Sequence, residues 1–447
     1  MLDGACQPAP RVVTREGVEQ QVAALLRRGV TSPSGGGVLL WPYLRALQVY
    51  ERLETLGPSH EAGYPPARLG LGLLFETLYG YPDGIRAIDP VSRADFGLLA
   101  GLPWLPAATT QYRYLQAIPV LDALGVQVAF AQHLAATDRV TPGGPINLDA
   151  HNVRTYSRKE MKRSYLPEEK GYGKAFRFFY TQDQTSRLPL IALATYSGTT
   201  VSQATPPVIA HTQQALGASG LLVADKEWYC GALLQELRQR GVPALVPAKL
   251  TARRQAAYDR IPLDAYLPTL DGPIARITTT LKNFDGPLVA LIRPLHDGTY
   301  WALLCTEPTV PTDTALPAYT GRWHIEDFFL HNNDLAIDRL PSLNLQAVQA
   351  MLTIRLLAFH VLEAFRRDLG EPYARQTPGV LRRQFLLPVQ MKLQARDRQT
   401  VTVTVYGCAQ QAVLHARYQQ LSQQLRAQDI DPRLPWLGNR ELIVRFA

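Results

Sequence analysis

Three carboxylates in this 447-residue chain stand where metal-assisted phosphodiester chemistry would place them: Asp149 in INLDAHNV, Asp225 closing GLLVADKEWY, and Glu326 in YTGRWHIEDFF. An ionised carboxylate at the end of an apolar strand is unfavourable unless it is paired or bound to a metal. Two strand carboxylates beside one helix carboxylate make an all-oxygen donor set that suits Mg²⁺, with Mn²⁺ as a substitute. Two such ions about 3.5–4 Å apart can activate a nucleophilic oxygen and stabilise the leaving oxygen of a phosphodiester. Taken singly, each residue also fits a plainer role: an Asp after a strand caps a turn or helix, and Glu326 suits a solvated helix face.

The residues around Glu326 carry the stronger pattern. Tyr319, Arg322, Glu326 and Asn333 are spaced so that, at 100° per residue on one helix beginning by Tyr319, all four fall within a stripe of about 60°. Trp323, Ile325, Phe328 and Phe329 are left to pack the other faces. A guanidinium and a carboxylate on an otherwise apolar helix need partners, which a phosphate and metal ions would supply.

Positioning these residues requires strands followed by a helix. Apolar runs bounded by turn residues predict strands at 146–153, 176–183, 189–198 and 220–225, a helix near 208–217, a helix at 230–241 and a short strand after it. Asp149 then lies on the first strand of an α/β unit and Asp225 at the end of the fourth. Residues 250–310 read as β-rich, with His296-Asp297-Gly298 as a hairpin turn. Upstream, residues 1–135 read as helical: TREGVEQQVAALLRR forms an amphipathic helix capped by Thr14 and ended by Gly29, and Thr109 or Thr110 can cap a short helix carrying Arg113. Downstream, a long apolar helix runs to Gly370, followed by a strand candidate TVTVTVYG and the helix AVLHARYQQLSQQLRA.

LDAH around Asp149, VADKEWY around Asp225 and YTGRWHIEDFF around Glu326 resemble the DDE triad of bacterial insertion-sequence transposases. More narrowly, they resemble the group with a β-rich insertion between the second Asp and the Glu and a Tyr-x2-Arg-x3-Glu-x6-Lys signature. Tyr319, Arg322 and Glu326 match it; the signature Lys falls at Asn333, and no lysine occurs between Lys282 and Lys392. RLPSLN (339–344) and GLPWLPAATTQYRYLQAI also resemble family segments. The resemblance implies an α/β, ribonuclease H-like catalytic core (142–250 and 311–370) with a β-rich insertion (251–310). It adds a helical N-terminal DNA-binding domain (1–135) and a C-terminal region (371–447).

It further implies that Asp149, Asp225 and Glu326 bind two Mg²⁺ ions and that Tyr319, Arg322 and the residue at Asn333 hold DNA. The expected activity is cleavage at transposon ends and strand transfer into target DNA, by a homodimer on paired double-stranded ends. A non-catalytic DNA-binding derivative and a metal-dependent nuclease without strand transfer are the alternatives.

The overall balance, 46 Lys and Arg against 38 Asp and Glu, is only mildly basic, but it is uneven. Residues 151–177 hold eight basic residues, among them Arg158, Lys159, Lys162 and Arg163, against three acidic ones, interleaved with Tyr156, Tyr165 and Tyr172. Beside Asp149 such a segment can track a DNA backbone, or it can be a solvated loop. Arg382, Arg383, Lys392, Arg396 and Arg398 form a second cluster open to the same two readings. His151 shares a strand side with Asp149, whereas His324 lies on the far side of the helix from Glu326. Trp301 either stacks on a flipped base or fills a core. Four unpaired-looking cysteines offer no disulfide framework or Cys-rich zinc site. No apolar run approaches a membrane span and the N-terminus lacks signal-peptide character, so the expectation is a cytoplasmic, nucleoid-associated protein without a membrane partner.

Overall fold

Thr14 and Gly29 bound the first helix as their types favour. The Thr14 hydroxyl accepts from the Gly17 N–H at 3.1 Å, and Gly29, at φ 80°, donates to the carbonyls of Leu25 and Leu26. The computed structural model describes residues 13–57, 63–80, 90–157, 160–166, 170–218, 220–270, 272–336, 339–408 and 411–447. These fall into two units: the described residues up to Val126 with those from His331 on, and Gln127–Leu330.

The chain begins with α1 (Arg15–Arg28), β1 (Val30–Ser32), α2 (Trp41–Ala46), α3 (Val49–Glu54), α4 (Pro66–Tyr79), α5 (Pro90–Leu99), α6 (Ala108–Ala117) and α7 (Val120–Ala136). Ala107 occupies the cap of α6, so Thr109 and Thr110 lie inside its first turn instead of capping it.

The second unit is a mixed α/β structure around a ten-stranded sheet. Its elements are β2 (Ile146–Arg154), β3 (Arg163–Leu166), β4 (Gly171–Asp183), β5 (Pro189–Tyr196), α8 (Val201–Leu216), β6 (Leu222–Ala224), α9 (Gly231–Gln239) and β7 (Ala244–Pro247). They continue with α10 (Ala252–Tyr258), β8 (Tyr266–Thr269), β9 (Gly272–Thr279), β10 (Leu288–Pro294), β11 (Tyr300–Cys305), α11 (Thr312–Thr320) and α12 (His324–Asp334). β2 pairs antiparallel with β4 and parallel with β6, and β6 is parallel to β7. The residues expected as a separate β-rich insertion continue this sheet, because β11 pairs antiparallel with β7 and β10, β9 and β8 follow in turn.

Near-continuous apolarity in β4 follows from burial on both faces. On one face Phe179 meets Trp228 at 6.5 Å and Thr181 bonds Thr212 of α8 at 2.9 Å. On the other, Tyr180 meets Phe328 and Phe329 of α12 at 5.3 and 5.4 Å.

The chain ends with α13 (Leu345–Leu369), α14 (Pro378–Leu381), β12 (Gln390–Gln394), β13 (Thr400–Tyr406), α15 (Gln411–Ala427), β14 (Arg433–Leu434) and β15 (Arg440–Phe446). β1 joins this segment through β12, in a five-stranded sheet. Residues 331–370, grouped by sequence with the catalytic segment, belong to the same unit as the N-terminal helices, where α13 packs on α4 and α6. α13 also corrects the reading that no stretch approaches a membrane span. It has 25 residues, and an 18-residue window within it has a mean hydropathy of 1.5, long and apolar enough to cross one, with 89% of that window buried inside the protein. Burial of most of its circumference accounts for its high apolar content, and Gln349, Thr353, Arg355, His360 and Glu363 are buried with it.

Candidate active site

Parallel pairing of β2 with β6 sets Leu148 opposite Ala224, so Asp149 and Asp225 are the next residues on adjacent strands. The Asp149 carboxylate accepts from the Ala150 N–H at 2.8 Å. Asp225 leaves the sheet as the cap of a 3-10 turn, Lys226–Trp228, and accepts from the Lys226 N–H at 2.6 Å. Asp225 is thus a cap and a neighbour of Asp149 at once.

The segment bearing Tyr319, Arg322 and Glu326 is not one helix. Tyr319 ends α11, a 3-10 turn at Gly321–Trp323 carries Arg322, and Glu326 lies in the first turn of α12. The three residues still converge. Arg322 is buried and reaches Glu326 at 3.0 Å and Asp149 at 3.5 Å. Its guanidinium lies 5.9 Å from the Tyr319 ring centre and 5.1 Å from that of Trp323, and its Nε has no hydrogen-bond partner. The side chain of Asn333 lies outside the described residues.

Burial pushes the Asp149 carboxyl up to about 6. The Ala150 N–H and Arg322 act against this, while the charges of Asp225 and Glu326 add to it. Burial also opposes the charge on Arg322, but Asp149, Tyr319, Glu326 and Asp225 outweigh it and raise its pKa. Burial raises the Tyr319 phenol as well. Because the folded-state pKa of Asp149 exceeds 3.8, its contribution to stability is full below about pH 4 and is lost as pH rises through about 6, a change of roughly 3 kcal/mol. Urea unfolding in chelator is expected to show this fall, and Asp149→Asn to flatten it; an unchanged profile in the variant would assign the fall to other groups.

Among the described residues no three His, Cys, Asp or Glu side chains stand close enough together to hold a metal ion. The carboxylates converge on Arg322 instead of on a common point. The chemistry of the donor set nevertheless fits a hard divalent cation, since the ligands are oxygen and a cation would offset both the burial that raises Asp149 and the smaller repulsion from Asp225 and Glu326.

A buried amide network, without a sequence signal, docks this segment on the sheet. Asn147, two residues before Asp149, donates to Gln182 Oε1 at 3.0 Å and to the Gly321 carbonyl at 3.2 Å. Gln184 donates to Asn147 Oδ1 at 2.8 Å and to the Ala318 carbonyl at 2.7 Å, and Gln182 to the His324 carbonyl at 3.2 Å. Gly321 is required here, because a Cβ would come within 2.6 Å of the Gln184 amide. Asn147→Ala removes one partner from each glutamine and from the Gly321 carbonyl and is expected to cost about 2 kcal/mol, read as a lower melting temperature. A melting temperature equal to the parent's would show that the docking does not depend on it.

The other residues singled out by sequence divide. His151 lies on the Asp149 side of β2 and stacks on Phe329 at 5.1 Å. The His324 imidazole feels the charges of Arg187 and Asp327, and burial lowers its pKa. Trp301 packs against the core beneath the sheet, 5.6 Å from the Tyr319 ring and 4.8 Å from the Arg293 guanidinium. Lys162 and Arg163 are exposed, while Arg158 and Lys159 lie outside the described residues. Arg177 is held by Glu227. In the other unit Arg382 donates to the Asp334 carbonyl and packs over Gly80, so it is structural, whereas Arg383, Lys392, Arg396 and Arg398 are exposed.

Residues 145–360 match the family described as the transposase DDE domain. The matched span contains all three carboxylates and supports a transposase role. No curated protein matches the chain. Among solved structures, the chain is similar to the cryo-EM structure of the piggyBac transposase synaptic complex with hairpin DNA. That likeness has 11% identity, covers 78% of this chain and 79% of the other, and has a TM-score of 0.43.

Proposed function

We propose that the chain is a cut-and-paste DNA transposase of the bacterial insertion-sequence type, with a ribonuclease H-like core and Asp149, Asp225 and Glu326 as its catalytic carboxylates. The observation that carries this reading is Arg322, which bridges the strand carboxylate Asp149 and the helix carboxylate Glu326 beside Asp225. In the first step water attacks the phosphodiester at the element end, breaking the bond to the 3′ oxygen and leaving a 3′-OH. In the second, that 3′-OH attacks a target phosphodiester, forming the new strand junction and releasing a target 3′-OH. Asp149, Asp225 and Glu326 would hold two Mg²⁺ ions, with Mn²⁺ as a substitute, and bound metal supplies Lewis-acid stabilisation of the charge that develops on phosphorus-bound oxygens. Arg322 neutralises and gathers the carboxylates. Tyr319, the Asn333 position, Trp301 and the basic residues Arg158, Lys159, Lys162 and Arg163 contact DNA. The working assembly is a homodimer on paired double-stranded ends in the cytoplasm.

One assay tests this: labelled candidate ends, Mg²⁺ and a target plasmid. Joined products are expected. Cutting without joining would replace the reading with a nuclease. Binding alone would favour the non-catalytic derivative, which the neutral amide of Asn333 in the signature Lys position motivates.

A further inference from the structure

Strand parity puts an aromatic and basic ribbon on the same sheet face as Asp149. On β4, Tyr172, Lys174 and Tyr180 alternate onto one face, and Tyr180 is directly opposite Asp149 on β2. β3 pairs with the start of β4, setting Tyr165 opposite Tyr172 and Arg163 opposite Lys174, so these four side chains share that face. At about 3.3 Å per residue the eight positions from Tyr180 to Tyr172 span about 26 Å, roughly eight nucleotides of a strand at about 3.4 Å each.

Both tyrosines are turned to solvent, Tyr165 at 53% and Tyr172 at 69% exposure, and their rings meet edge to face at 5.6 Å. Arg163 reaches across the ribbon to donate to the Tyr172 carbonyl at 3.0 Å, which holds a guanidinium beside the ring pair. Cations alone would serve any phosphate backbone. Exposed rings add something a closed duplex cannot use, because its base faces are hidden in the stack except at its ends.

We propose that the β3–β4 ribbon is a stacking platform for unpaired bases, taking a single-stranded or opened stretch of DNA about eight nucleotides from the reacting phosphate. Tyr165 and Tyr172 receive the bases and the exposed Arg163 a flanking phosphate, while Lys174, whose Nζ donates to the Ser157 carbonyl at 3.2 Å, braces the ribbon. This rests on the DNA-processing role proposed above and adds the form of DNA that the site selects.

The test uses the full chain and fluorescence anisotropy, with a labelled blunt duplex and the same duplex carrying a single-stranded tail of about ten nucleotides. The parent protein is expected to prefer the tailed DNA. The double variant Tyr165→Ala/Tyr172→Ala is expected to lose at least about 30-fold in affinity for it, with binding to the blunt duplex changed by less than about twofold. Tyr165→Phe/Tyr172→Phe, which keeps the rings, is expected to retain the preference, so a folding defect cannot mimic the result. Equal affinity of the parent for both DNAs, or equal losses on both in the alanine variant, would overturn the platform and leave the DNA-processing role standing. A parent that binds neither DNA would overturn both.

Discussion

Asp149→Asn is expected to remove metal-dependent DNA cleavage by at least about 10³-fold while leaving the protein folded and able to bind its DNA ends. The amide keeps the size of the carboxyl and can still accept from the Ala150 N–H, which donates to Asp149 at 2.8 Å. What it lacks is the negative charge that would ligate a divalent cation, and losing a ligand of a catalytic metal forfeits several kcal/mol of transition-state stabilisation. Because burial already disfavours the charged form of Asp149, the variant is also expected to match or exceed the parent in stability at neutral pH in chelator. A loss of activity together with undiminished stability separates a chemical role from a structural one. Cleavage within tenfold of the parent's would remove Asp149 from the chemistry.

Arg322→Ala is expected to destabilise the chain by about 3–5 kcal/mol, measured by urea unfolding. Its side chain is only 7% exposed and faces Asp149 and Glu326, so its removal strands one largely buried carboxylate and loosens a second that is partly solvated. The same change takes away the attraction that holds the Asp149 carboxyl down, so its pKa is expected to rise above about 6. Arg322→Lys should recover only part of this, since one ammonium cannot span both carboxylates in the way a forked guanidinium does. A cost below about 1 kcal/mol would show that solvent compensates both carboxylates and that Arg322 does not organise the site.

The strands that carry Asp149 and Asp225 were legible because a buried strand announces itself as a short apolar run between turn residues. The pairing of Tyr319, Arg322 and Glu326 was also legible, from spacing, although the single helix used to derive it does not exist. Gly321 admits a 3-10 turn that packs on Gln184, and the three side chains meet across that turn. β3 was missed because RSYL is four residues in a charged stretch, too short to show a period of two. The network of Asn147, Gln182 and Gln184 was invisible for another reason: a buried amide has no periodicity and is recognised only by the partners that satisfy it.

By itself the sequence determined which residues could do chemistry, the strands that lead to Asp149 and Asp225, and an oxygen-only donor set, because residue type and local periodicity are properties of the chain alone. Only the tertiary structure decided that Arg322 binds Asp149 as well as Glu326, that the β-rich stretch extends the sheet carrying Asp149, and that Tyr165 and Tyr172 share a face with Asp149. Each of these depends on pairing between residues far apart in the chain, and register across a sheet is set by the packing of both faces at once.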